Sequence, residues 1–110
     1  MPNLKLFVDQ DLLAERKAEL SAALEPLRAC IMERLEVPAS AVQVAIVPVI
    51  GLPDQPLINV EIHIMPRPNR TRPVLESFGA EVKKLVEAAS GASPAFRCMQ
   101  LDAETYVALK

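Results

Sequence analysis

The sequence predicts an α/β fold of two tandem βαβ units, forming a four-stranded sheet with two helices on one face. Three observations carry that expectation. Short alternating apolar runs flank two longer segments with helical periodicity. The opening strands of the two halves align at an offset of 56 residues, Leu4, Leu6 and Val8 falling onto Val60, Ile62 and Ile64. Pro38 and Pro94 repeat at the same offset, each ahead of the second strand of its unit. Right-handed crossovers would then put both helices on one side of a shared sheet.

The elements follow in order. Leu4, Leu6 and Val8 alternate with Lys5 and Phe7, which predicts a strand over 3–9. Asp9 and Asp11 break that pattern and supply a helix cap. Leu13, Leu20, Leu24, Leu27, Ile31 and Leu35 recur at spacings of three, four and seven, so a helix is expected over 12–35. Pro26 lies inside it and should kink it or split it in two. Val42, Val44 and Ile46 predict a strand over 41–49, and the Gly51-to-Pro56 stretch is turn chemistry. Val60, Ile62 and Ile64 predict a strand over 58–65. Thr71 and Pro73 suit a helix start, and Val74, Leu75, Phe78, Val82, Leu85 and Val86 give a helix over 71–90 that ends at Ser90-Gly91. The last strand is expected over 95–101. The 110 residues are expected to form a single domain over 1–110, with pseudo-repeat units at about 1–50 and 57–110.

Half the residues are hydrophobic (51%), but only 4% are aromatic and Trp is absent, so the core must be built from Leu, Val, Ile and Ala. A formal charge of −2 speaks against nucleic acid or an anionic membrane surface as partner. No apolar run approaches the ~20 residues of a membrane span. There is no signal-peptide pattern, and a cytoplasmic location is expected. Cys30 and Cys98 have no metal-ligand spacing and read as free thiols. No metal and no cofactor is expected: the chain has one histidine, His63, and three glycines, too few for a phosphate-cradling loop. The sheet face away from the helices should carry Lys5, Phe7, Glu61, His63 and Met65. Such a mixed face on so small a chain points to contact with another subunit.

Two features bear on chemistry. Pro2 directly follows Met1 and directly precedes the first strand. A small second residue generally permits removal of the initiator methionine, which would leave a free prolyl amine. An α-amine has a pKa near ~8, and burial or neighbouring cations lower it toward the range of a general base. The alternative is that Pro2 merely opens an edge strand, where its missing N–H does no harm. The second feature is Arg67-Pro68-Asn69-Arg70-Thr71-Arg72, three guanidinium groups in a proline-stiffened loop ahead of a helix N-terminus. That is a candidate anion site, suited to a carboxylate and open to a phosphate, the alternative being a solvated basic loop. Arg97, on the last strand, is a further candidate.

These features resemble the tautomerase superfamily. The Leu35-to-Val44 passage is similar to the helix-to-strand connection of 4-oxalocrotonate tautomerases. The His63-to-Thr71 segment, H-x-x-x-R-x-x-R-T, is similar to the arginine pair of cis-3-chloroacrylic acid dehalogenase. Ser93-Pro94 ahead of the last strand resembles macrophage migration inhibitory factor. The resemblance implies a cofactor-independent isomerase in which Pro2 moves a proton on an unsaturated 2-oxo or 2-hydroxy carboxylic acid. Arg67 and Arg70 would hold the substrate carboxylate, with Arg97, from its strand position, as a further substrate-binding candidate. It also implies a homotrimer with sites between subunits. The dehalogenases' last-strand tyrosine and C-terminal glutamate have no counterpart around Arg97 or at Leu109, so tautomerisation fits better than hydrolytic dehalogenation. The alternative function is a non-catalytic trimeric protein of the same fold that binds an anion or a partner through its arginine loop.

Overall fold

The computed structural model describes all residues, 1–110. Its elements are β1 (Asn3–Asp9), α1 (Gln10–Ala22), α2 (Leu24–Leu35), β2 (Gln43–Val49), β3 (Ile58–Ile64), α3 (Arg72–Ser90) and β4 (Ala95–Gln100). The strands form one four-stranded sheet in the order β2-β1-β3-β4. β1 runs parallel to β2, β3 parallel to β4, and the two central strands run antiparallel. Each parallel pair is one βαβ unit, as the sequence predicts.

The alternation seen in the sequence decides which side is covered. Leu4, Leu6 and Val8 from β1, and Ile58, Val60, Ile62 and Ile64 from β3, are fully buried against the helices. Leu20, Leu27, Ile31, Leu35, Phe78, Val82 and Val86 meet them from the helical side. The opposite face reads, in cross-strand rows, Gln43-Asn3-His63-Met99, Ala45-Lys5-Glu61-Arg97 and Val47-Phe7-Asn59-Ala95. No element covers it.

The helix expected over 12–35 is split in two, one of the two outcomes Pro26 predicts, so three helices cover the sheet instead of two. The pyrrolidine ring of Pro26 would clash with the carbonyl of Ala22 four residues earlier, and it offers no N–H to that carbonyl. α1 accordingly stops at Ala22, and Pro26 falls in the first turn of α2, where a missing N–H does no harm. Asp9 caps α1 by accepting from the amides of Asp11 and Leu12. β2 begins at Gln43, not at residue 41, because Ala39–Ala41 form a 3₁₀ turn after Pro38. Pro94 directly precedes β4 with no such turn, so the two units differ in length between helix and second strand.

No helix is long and apolar enough to cross a membrane. Nor do three or more His, Cys, Asp or Glu side chains gather where they could hold a metal ion. Cys30 and Cys98 are both free thiols.

Candidate functional site

The antiparallel pairing of β1 with β3 builds the site. Asn3 stands opposite His63, so Pro2, one residue earlier, lies beside Ile64, one residue later. The amide of Leu101 donates to the Ile64 carbonyl at 2.8 Å, which brings the end of β4 to the same place. The amide of Gln43 donates to the Pro2 carbonyl at 3.0 Å. Pro2 is buried at this corner. The loop leaving β3 starts there as well, so the topology delivers Arg67 and Arg70 to the start of the chain.

The electrostatics of the corner follow from that proximity. The Met1 amine lies below its ordinary pKa, first because of burial and then through the positive charges of Lys110, Arg70 and Arg67. Like charges disfavour protonation of an amine. The corner is thus cationic before any partner is added.

The two arginines have different surroundings. Arg67 is exposed and makes no ion pair within the chain. Arg70 is only 5% exposed. Its Nη1 donates to the Met65 carbonyl at 2.6 Å and its Nη2 to the Leu35 carbonyl at 3.3 Å. Its Nε is sealed from solvent without an acceptor. Burial, then the nearby Arg67 charge, push the Arg70 guanidinium below its ordinary pKa. The third arginine of the loop, Arg72, pairs with Glu76 one turn along α3 at 2.8 Å.

Arg97 lies elsewhere. Its register partner is Glu61, on the uncovered face of the sheet, and its Nη1 donates to the Asn59 side chain. Asn59 in turn donates to Glu61 at 2.7 Å. Within one chain Arg97 therefore points away from the Pro2 corner, toward the start of β3. His63 is on the same uncovered face and is exposed.

Cys98 was not singled out by sequence as part of any site, yet it neighbours this one. It faces the helices beside Arg70. Burial raises its thiol pKa while the Arg70 charge opposes that rise. Sequence held little signal for this, since each face of β4 mixes apolar residues with one polar residue, Arg97 on one and Gln100 on the other. Cys98 also lines the largest groove, about 580 Å³, between α3 and the free edge of β4. Arg72, Gly79, Lys83, Phe96 and Gln100 share that groove, but Pro2, Arg67 and Arg70 do not. None of the chain's cavities is lined by Pro2.

No family model matches the sequence, and no curated protein matches it. Solved structures do match. A fused 4-OT wild-type asymmetric trimer superposes with a TM-score of 0.69 at 18% identity, over 96% of this chain and 91% of that one. The macrophage migration inhibitory factor-like protein of Entamoeba histolytica gives 0.69 at 14% identity, over 97% and 94%. A member of the cis-3-chloroacrylic acid dehalogenase family gives 0.70 at 16% identity, over 96% and 79%. Three differently named proteins thus share one backbone with this chain across nearly its whole length, and the chain has the tautomerase-superfamily fold.

Proposed function

We propose that the protein is a cofactor-independent tautomerase acting on an unsaturated 2-oxo or 2-hydroxy carboxylic acid, with the Pro2 amine as base once Met1 is removed. The observation that supports this most is the cationic, partly dry corner at the start of the chain. Burial together with Lys110, Arg70 and Arg67 lowers the pKa of an amine there. A prolyl amine one residue along would feel the same charges and would be neutral at lower pH than an ordinary α-amine. The neutral amine takes the enol hydroxyl proton and returns a proton to the neighbouring carbon, giving the keto acid with no net change of atoms. Arg67 holds the carboxylate and stabilises the negative charge that spreads over the enolate.

The site is completed by assembly as a homotrimer in this proposal. Half-buried Phe7, Val47 and Met99 lie on the uncovered sheet face, and one solved neighbour is itself a trimer. Arg97 on that face would then reach a neighbouring subunit's substrate in place of its own.

The test is ketonisation of phenylenolpyruvate and of 2-hydroxymuconate, followed by absorbance, with loss of Met1 verified by intact mass. Turnover that collapses in Pro2→Ala supports the proposal. A processed trimer inert on both enols removes it.

A second reading, a non-catalytic binding protein of this fold, draws on one specific observation. Arg70 is engaged by main-chain carbonyls, which leaves the loop with fewer free cations than a two-arginine carboxylate clamp needs. Fold alone does not decide between the two readings.

A further inference from the structure

We infer that Arg70 is a positioning residue, holding the loop so that Arg67 alone of the arginine pair meets the substrate carboxylate. This rests on the carboxylate chemistry proposed above and divides labour within it.

The two Nη groups of Arg70 join two separate elements. Met65 follows β3, and Leu35 is the last residue of α2. The final carbonyls of a helix lack internal partners and carry the negative end of the helix dipole. A guanidinium there satisfies one of them and neutralises that end. For a carboxylate to use Arg70, it would have to enter a site only 5% exposed, where both Nη groups already donate to main-chain carbonyls. Its Nε, which has no acceptor, is sealed from solvent and out of a carboxylate's reach.

A second clasp lies beside the first. Glu36, just past α2, adopts the left-handed conformation at φ 55°, and its carboxylate accepts from the Asn69 side-chain Nδ2. A non-glycine residue takes that conformation at some cost, so something must hold it. Together the clasps fix both Asn69 and Arg70 to the end of α2. The turn between Arg67 and Arg70 is closed by the Arg70 amide donating to the Arg67 carbonyl at 3.0 Å, with Pro68 at its second position. A turn pinned at its last two residues leaves its first residue, Arg67, in one place. Of the two arginines that residue is the exposed one, and its charge already reaches the chain's amino end.

The experiment measures binding of phenylpyruvate and of its methyl ester by calorimetry, in the Met1-processed protein. The variants are Arg67→Ala, Arg70→Gln and the two combined. Arg67→Ala should weaken phenylpyruvate binding about 10- to 100-fold, the worth of a charge-assisted hydrogen bond. Arg70→Gln should weaken it several-fold in the parent and not at all in the Arg67→Ala background, because it acts only through Arg67. Binding of the ester should be unchanged throughout. An equal Arg70→Gln penalty in both backgrounds means direct contact and overturns the inference. So does a folded Arg70→Gln protein that binds like the parent, or one that loses acid and ester alike. So does a parent that does not bind the acid. If Arg70→Gln does not fold, Arg70→Lys, which keeps the charge and one donor, is read by the same criteria. Binding intact with no enol turnover would defeat the Pro2 proposal and leave this inference standing.

Discussion

The ring of Phe96 lies so close over Gly79 that a Cβ at that glycine would come within 2.6 Å of it. Gly79 is in the middle of α3, where glycine is ordinarily a liability of about 1 kcal/mol against alanine. Here the missing side chain lets β4 approach α3. Phe96 then packs edge-on against Phe78, ring centroids 5.9 Å apart and planes at 75°.

Gly79→Ala is therefore expected to destabilise the protein despite the better helix propensity. The contact is with an aromatic ring that also packs against Phe78, not with the free end of a flexible side chain. Overpacking of this kind costs about 1–3 kcal/mol. Urea unfolding of parent and variant measures it. A variant as stable as the parent would show that Phe96 can swing aside.

The strands were legible because their apolar alternation is clean and their ends are marked. β1 occupies 3–9 as expected, and the last residues of β3 and β4 fall within one of the expected ends. The break between α1 and α2 was legible through Pro26. What sequence could not show was the inward turn of Arg70. Nothing in the R-x-x-R spacing separates the two arginines; the difference comes from Leu35, 35 residues away in sequence and adjacent only in the folded chain. The direction of Arg97 was hidden for another reason. β4 reads Ala-Phe-Arg-Cys-Met-Gln, with two apolar or sulfur-bearing residues and one polar residue on each face, so unlike β1 and β3 its alternation does not mark a core side cleanly.

Cys98 gives a chemical readout of the same corner. Burial raises its pKa, so the thiol is protonated at pH 7 and should alkylate with iodoacetamide more slowly than a free cysteine. The Arg70 charge partly counters that rise, so Arg70→Gln should slow the reaction further if burial is unchanged. Peptide mapping of the alkylated protein distinguishes Cys98 from Cys30, whose pKa burial also raises. Faster labelling of Cys98 in Arg70→Gln would mean that the corner has opened.

The uncovered sheet face provides a test of assembly. Phe7 sits in its centre between Val47 and Asn59 and is half-buried even in one chain. Phe7→Asp leaves the helical core untouched, since Phe7 faces the other way. It is expected to convert a trimer into monomers in sedimentation velocity at micromolar concentration, with little loss of helical circular dichroism. A parent that sediments as a monomer removes the assembly proposal. A Phe7→Asp protein that stays trimeric moves the interface off this face.

The pH dependence of turnover tests the base itself. Only the neutral amine accepts a proton, so kcat/KM should rise with pH through the pKa of the Pro2 amine and then level off. Burial and the charges of Lys110, Arg70 and Arg67 lower the pKa of an amine at this corner, so the rise should be centred below the ordinary 8.0 of an α-amine. Arg67→Ala removes one of those charges and must move the rise to higher pH, while also raising KM for a carboxylate substrate. The same shift has a consequence for stability if Met1 remains. The folded amine then binds protons less readily than the unfolded one, so stability rises with pH up to about 8, where the unfolded amine loses its proton. Acetylating the Met1 amine abolishes that slope. A kcat/KM profile centred at or above 8.0, or one that Arg67→Ala leaves in place, means that the titrating base is not an amine in this cationic corner.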